Sequence, residues 1–279
     1  MKAAAAMALV GSINQSAAAE APALASPWVT EQAARSRLIA GGVGADGTRP
    51  LYAGLEIALE DGWKTYWRNP GSSGVPPGID WAGSENIASV KLEFPAPQRF
   101  KDKDGDTIGY KHGVVLPLLL KLSDPAKPAK LKLNAEFGIC RDVCIPVQPK
   151  LSLDLPANAA RQPAGSALQQ AVRRVPRSAA LSKGDPQLQS IKVDLNGPKP
   201  SIVIAAKFPG ADTKADVFLE APDGIWIPLP RPDGNAKDGV KTFRVDLTEG
   251  ADIADLKGRT IRATLVGAEG QSEASFPLN

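Results

Sequence analysis

One histidine, two cysteines and two methionines occur in 279 residues, and these shortages narrow the chemistry first. A lone His112 argues against a Ser-His-Asp triad and against a multi-histidine metal site. There is no Gly-Lys-Ser/Thr phosphate loop, and Gly41-Gly-Val-Gly44 falls short of the dinucleotide fingerprint. Nothing approaches the run of about 20 apolar residues that a membrane helix needs. The strongest run, Val114 to Leu122, is interrupted by Pro117 and Lys121, so the mature protein is expected to be soluble. Neither sign of charge is in excess: the formal net charge is +3 and the basic residues are scattered. That is no footprint for nucleic acid. Acidic pairs such as Glu60-Asp61 fall at turns, where solvated charges are expected.

What is present begins with an address. Met-Lys, the small apolar run Ala3 to Gly11 and Ala-rich candidate cuts after Ala19 and Ala25 have the order of a secretory signal. A signal peptide over residues 1–25 is expected, with an unstructured Ala-rich tail as the alternative. Export suits the cysteines, because a disulfide persists outside the reducing cytosol.

Glycine (26) and proline (25) are abundant, which suits many short strands joined by turns. Apolar residues alternate at Leu55, Ile57 and Leu59, at Val90, Leu92 and Phe94, at Leu131, Leu133, Ala135 and Phe137, and at Leu151, Leu153 and Leu155. Turn formers separate these runs: Asn69-Pro-Gly71, Pro76-Pro-Gly78 and Asp104-Gly-Asp106. An antiparallel sandwich over residues 28–157 follows. Its tryptophans Trp63, Trp67 and Trp81 are expected in core and turn packing.

Residues 158–186 read as a Pro/Ala-rich linker, in which Ala164 to Val175 could form a short helix with Leu168, Ala171, Val172 and Val175 on one side. Period-two alternation returns from Gln187, giving about seven short strands and a second sandwich over residues 187–279. One of those strands is expected at Ile225 and Ile227. Trp226, among Pro222, Pro228, Pro230 and Pro232, is expected to be buried and flanked by turns; a recognition surface is the alternative. The second half has no cysteine or histidine, and docking or spacing the first domain is its expected role.

Both cysteines lie in Phe137-Gly-Ile-Cys140-Arg-Asp-Val-Cys144-Ile-Pro146. Four steps of extended strand would separate their α carbons by roughly 13 Å, whereas a disulfide needs them within about 7 Å. The chain must therefore turn back for the sulfurs to meet. Gly138 is expected to supply backbone freedom before the turn and Pro146 to stop a helix after it. The β-branched Ile139, Val143 and Ile145 favour a loop or tight hairpin. A bridge closing so short a loop contributes only roughly 2 kcal/mol in the chain-entropy model, less than a staple chosen for stability would give. A short-loop dithiol can resolve a mixed disulfide quickly. Arg141 would favour a thiolate on Cys140 and Asp142 oppose it, so no net effect is expected. Spacing alone leaves redox exchange, a structural bridge and metal ligation open. Tyr66 has a polar tip that could reach a thiolate as a donor.

Four strings occur in one order: Gly62-Trp-Lys-Thr-Tyr-Trp-Arg-Asn-Pro-Gly71, Phe94-Pro-Ala-Pro-Gln-Arg-Phe100, Gly109-Tyr110 and Cys140-Arg-Asp-Val-Cys144-Ile-Pro146. As a set they resemble the N-terminal periplasmic domain of the DsbD/ScsB family of thiol–disulfide reductases, over roughly residues 28 to 157. The resemblance implies an all-β, immunoglobulin-like sandwich, which makes the whole chain two such antiparallel domains joined by the linker. It implies a periplasmic protein that takes electrons from a membrane-embedded partner domain and reduces disulfides in thioredoxin-fold proteins. On this resemblance Cys140 and Cys144 are the redox pair, Cys144 forming the mixed disulfide and Cys140 resolving it. Tyr66 matches the tyrosine beside the site, Phe100 the aromatic of a cap loop, and Tyr110 a further neighbour. This sequence has three residues between the cysteines where the best-known members have five, and the cap alignment over Lys101 to Thr107 needs a gap. The copper-tolerance branch gives a second expectation: the reduced pair Cys140 and Cys144 could hold Cu(I), a soft ion suited to thiolates. No other cofactor is expected. A scaffold with a structural bridge is the third reading. The membrane partner would be a separate protein, or this chain would be a fragment of a longer one.

Overall fold

The computed structural model describes residues 24–44, 49–71, 74–102, 105–179, 181–210, 214–234 and 239–279. The expected signal peptide lies outside these residues except for its last two. Leu24–Ala25 form strand β1 and pair with Ala40 and Ile39, so of the two candidate cuts the one after Ala19 would leave this strand in place.

The chain is all-β, in immunoglobulin-like antiparallel sandwiches. In the first, one sheet runs in the order β1, β3 (Ala34–Gly42), β4 (Leu51–Leu59), β10 (Gly113–Leu122), β7 (Ile87–Leu92), with β2 (Val29–Glu31) added on β3. The facing sheet runs β12 (Cys144–Val147), β11 (Ala129–Cys140), β5 (Lys64–Gly71), β9 (Gly105–Lys111), β8 (Gln98–Asp102). Strand β11 is long enough to serve two sets of neighbours. Its first half pairs with β6 (Gly78–Asp80) and β13 (Lys150–Leu155), and its last residues pair with β5 and β12. Its alternating Leu131, Leu133, Ala135, Phe137 and Ile139 all point inward and are buried. They meet Leu38, Leu55, Ile57, Leu116 and Leu118 of the other sheet in one core. The cysteines thus stand at the far end of the strand most firmly anchored in that core.

Residues 158–186 include helix α1 (Ser166–Arg173), which lays Leu168, with Val172 beside it, on the outer face of the first sheet against Ile39 and Tyr52. The backbone N–H of Ala96 donates to the Arg174 carbonyl at 2.7 Å and the Arg174 guanidinium returns a bond to the Ala96 carbonyl. The helix end is therefore tied to the connection before β8.

The second sandwich packs the sheet β14 (Gln187–Asp194), β15 (Ser201–Lys207), β18 (Val240–Asp246), β17 (Arg231–Pro232) against β16 (Asp216–Glu220), β19 (Thr260–Val266), β20 (Gln271–Pro277). Two expectations fail here. The segment around Ile225 and Ile227 is a 3-10 turn at Pro222–Gly224 followed by irregular chain up to β17. Prolines at 222, 228, 230 and 232 cannot donate to a ladder, and the apparent alternation arises because Ile227 drops into the core at 4 % exposure. Trp226 beside it is not buried: it is 46 % exposed.

The two sandwiches meet through β5 and β8. Arg68 makes a fork to Glu220 (Nε to Oε1 2.8 Å, Nη2 to Oε2 2.7 Å) and reaches Glu273 at 2.6 Å. Arg99 makes a second fork to Asp216 and donates to the Pro230 carbonyl. Trp67 and Phe218 pack between them at 5.8 Å, both fully buried.

Candidate functional site

Strands β11 and β12 form a tight hairpin in which Phe137, Gly138, Ile139 and Cys140 oppose Val147, Pro146, Ile145 and Cys144. Directly opposed cysteines with α carbons 4.1 Å apart carry the disulfide. The three-residue tip is Arg141-Asp142-Val143. Arg141 lies over the Trp63 ring at 5.3 Å and pairs with Asp142 at 3.2 Å, so the two tip charges answer each other.

The two sulfurs are unequal. Cys140 is 9 % exposed and Cys144 is exposed. The Tyr66 hydroxyl lies 3.1 Å from Cys144 Sγ, within hydrogen-bond reach of a sulfur. Tyr66 itself is 1 % exposed, which fixes its ring and leaves only its tip to act.

Glycines make the slot that holds this ring. A methyl group on Gly138 would stand 3.1 Å from the Tyr66 ring and 3.2 Å from Val75, and one on Gly74 would stand 2.5 Å from the opposite ring edge. Gly138 is therefore needed for close approach; no left-handed backbone is found there, which corrects the expectation of turn freedom. Gly74 needs both, since its φ is +134°. The buried Thr65 hydroxyl donates to the Gly138 carbonyl at 2.8 Å and pins the strand beneath.

Register settles which expected residues share a face. Cys140 opposes Lys64, Lys64 opposes Lys111, Tyr66 opposes Gly109, and Gly109 opposes Gln98. Counting by twos, Phe100 lies on the same outer face as Tyr66 and Cys140. Its ring lies 5.8 Å from the Lys64 ammonium and 5.0 Å from that of Lys111. Tyr110 falls on the opposite, core-facing side. Its hydroxyl donates to the Pro95 carbonyl at 2.8 Å, and burial pushes its pKa far above the usual value, so it stays protonated and structural. His112 is exposed and 4.0 Å from Asp61. Among the described residues no cluster of three or more His, Cys, Asp or Glu could hold a metal ion, and no helix is long and apolar enough to cross a membrane. Sequence reasoning missed Val75, which touches this slot and is 46 % exposed; its only signal was an apolar residue between Gly74 and Pro76-Pro77.

Three comparisons bear on this site. The family model described as the N-terminal part of the thiol:disulfide interchange protein DsbD matches residues 45–156. The crystal structure of the N-terminal periplasmic domain of ScsB from Proteus mirabilis is similar, with a TM-score of 0.69 and 23 % identity. The match covers 92 % of this chain and 99 % of that one, so the likeness in fold extends through both sandwiches. No curated protein matches significantly.

Proposed function

We propose that this chain carries out thiol–disulfide interchange, because residues 45–156 match the family model described as the N-terminal part of the thiol:disulfide interchange protein DsbD. Cys140 and Cys144 are the exchanging pair, working in the periplasm between a membrane-embedded electron donor and oxidised thioredoxin-fold proteins. The observation that carries this reading is the asymmetry of the bridge, one sulfur buried and the other exposed beside a fixed hydroxyl.

The steps balance as follows. A donor thiolate attacks Cys144 Sγ, the Cys140–Cys144 bond breaks, and Cys140 leaves as a thiolate that takes a proton from water. A second donor thiolate attacks the donor sulfur of this mixed disulfide, the donor closes its own disulfide, Cys144 leaves as a thiolate, and two electrons have entered. In the outward direction the Cys144 thiolate attacks one sulfur of a partner disulfide, whose other sulfur leaves. Cys140, deprotonated, attacks Cys144 Sγ, the Cys140–Cys144 bond re-forms, and the partner leaves with both sulfurs reduced, its thiolates taking protons from water. Only an exposed sulfur can be attacked in line by a protein. The Tyr66 hydroxyl donates to the Cys144 thiolate and lowers the cost of forming it. Cys140, directly opposed and held by the hairpin, is placed to resolve.

The test is a redox titration in graded glutathione or dithiothreitol buffers with trapping of free thiols. A reversible couple that oxidised thioredoxin re-oxidises is expected. A midpoint below about −300 mV, with no reaction with thioredoxin, would mean a structural staple. Cu(I) capture by the reduced thiols is a separate proposal. The donor set there is two soft sulfurs, and competition against a Cu(I) chelator, comparing wild type with Cys140→Ser, tests it.

A further inference from the structure

Four large apolar side chains are exposed among the described residues: Val75 (46 %), Val143 (66 %), Leu181 (42 %) and Trp226 (46 %). Two of them flank the sulfur site and a third, Trp226, lies on the cleft that Pro76 also lines. Val143 is the hairpin tip next to Cys144. Val75 borders the slot that holds Tyr66, across from Gly138. Its neighbour Pro76 lines the cleft between the sandwiches, a space of about 970 Å³ whose far wall includes Ile225, Trp226 and Pro228.

We propose that the protein partner of Cys144 docks across both sandwiches, with Trp226 as its anchor on the second. This rests on the exchange reading above. To bring its sulfur in line with Cys144 Sγ, the partner must cover Val143 and Val75. A specific protein interface buries about 800 Å² on each side, a patch roughly 30 Å across, and a three-residue tip with one neighbouring loop does not fill it. From Val75 the chain passes to Pro76, which lines the cleft whose far wall carries Trp226.

The chemistry of the cleft selects the kind of occupant. Arg68 and Arg99 line it, but Glu220, Glu273 and Asp216 already hold their guanidiniums. These two guanidiniums are therefore answered rather than open to an anion, and the exposed apolar group on the cleft wall is the indole. Trp226 rides on a segment free of sheet pairing from Ile225 to Pro230, with prolines at 222, 228, 230 and 232 limiting its freedom before binding. Exposed tryptophans of this kind are over-represented among residues that dominate protein interfaces. The occupant is a protein of thioredoxin fold with an apolar rim around its reactive cysteine; a small thiol such as glutathione spans only the sulfurs.

The experiment compares two oxidants on the reduced chain, oxidised thioredoxin and glutathione disulfide. Thioredoxin is expected to react at least tenfold faster than glutathione disulfide with wild type. In Trp226→Ala the ratio of the two rates should fall about tenfold, and in Trp226→Phe by less. A Cys140→Ser chain trapped as a mixed disulfide with a single-cysteine thioredoxin should also slow backbone hydrogen exchange over residues 223–229. An unchanged ratio in Trp226→Ala, or no protection of that segment, overturns the docking proposal while exchange itself survives. If wild type reacts with neither oxidant, the exchange reading is what has failed.

Discussion

Arg68→Ala should separate the two sandwiches energetically, and the cost can be worked from the contacts. Arg68 lies two residues beyond Tyr66 on the strand that supports the sulfur site. Burial alone would lower its pKa, but Glu220 and then Glu273 outweigh that and raise it, so the cation is permanent. Three bonds of 2.6 to 2.8 Å reach carboxylates, and charged hydrogen bonds contribute about 1.5–3 kcal/mol each. Glu220 and Glu273 are 16 % and 22 % exposed, so water recovers part of the loss. A net cost of about 4 kcal/mol follows, within the usual range for stranding the partners of a buried charge. In urea at pH 7 the midpoint of the first transition should fall by about 1–2 M, and the single transition expected of wild type should split in two. Arg68→Lys should recover less than half, because a point ammonium cannot reproduce the fork. A loss under about 1 kcal/mol, or full recovery by lysine, would refute the reasoning.

Other outcomes follow from the same geometry. Tyr66→Phe removes the donor 3.1 Å from Cys144 Sγ, so the pH profile of alkylation of the reduced protein should move to higher pH while the fold is retained. Gly138→Ala pushes a methyl against the Tyr66 ring and Val75; a destabilisation of about 1–3 kcal/mol with slower exchange is expected, read by urea melts and stopped-flow. For Asp185, burial by itself would raise the pKa, but hydrogen bonds from Arg177 and the Ser182 N–H outweigh it and hold the carboxyl below its ordinary value. A depressed folded pKa means its stabilisation is complete above the unfolded value and is lost as pH falls through the folded one. Stability of wild type should therefore drop below about pH 4, and Asp185→Asn should flatten that limb of the curve.

The alternation at Leu131 to Phe137 and Leu151 to Leu155 was enough to read a sandwich, because a half-buried strand writes its burial directly into the sequence. The hairpin was legible for the same reason: β-branched residues flank two cysteines too far apart in extended chain to bond. Trp226 was misread because composition cannot say which side of an irregular, proline-bounded segment faces water; that depends on Ile227 taking the inward place. Phe100 and Tyr110 were grouped by resemblance, yet strand parity sends one to the outer face and the other to the core. Gly138 looked like a turn residue, whereas what selects it is a ring arriving from Tyr66, 72 positions earlier. Contacts at that separation leave no local pattern. The Arg68 and Arg99 forks are equally silent, since their carboxylates come from the second sandwich.

A working redox pair has to survive its own opening, and the hairpin meets that condition without the sulfur bond. A five-residue loop closed by a disulfide gains about 2 kcal/mol from chain entropy. Against this stand the inward packing of Phe137, Ile139 and Val147, all at 2 % exposure or less. The Thr65 bond to the Gly138 carbonyl and the Arg141 contact over Trp63 act in the same direction. None of these needs the sulfurs joined. For a chain this size 2 kcal/mol corresponds to a fall of roughly 4–8 °C in Tm, so reduction should shift the melt by that much and leave the strand content unchanged. Hydrogen-exchange protection at Ile139 and Val147 should persist in the reduced protein, while that at Arg141 to Cys144 falls. Loss of protection along the whole of β11 on reduction would show the bridge to be a staple after all.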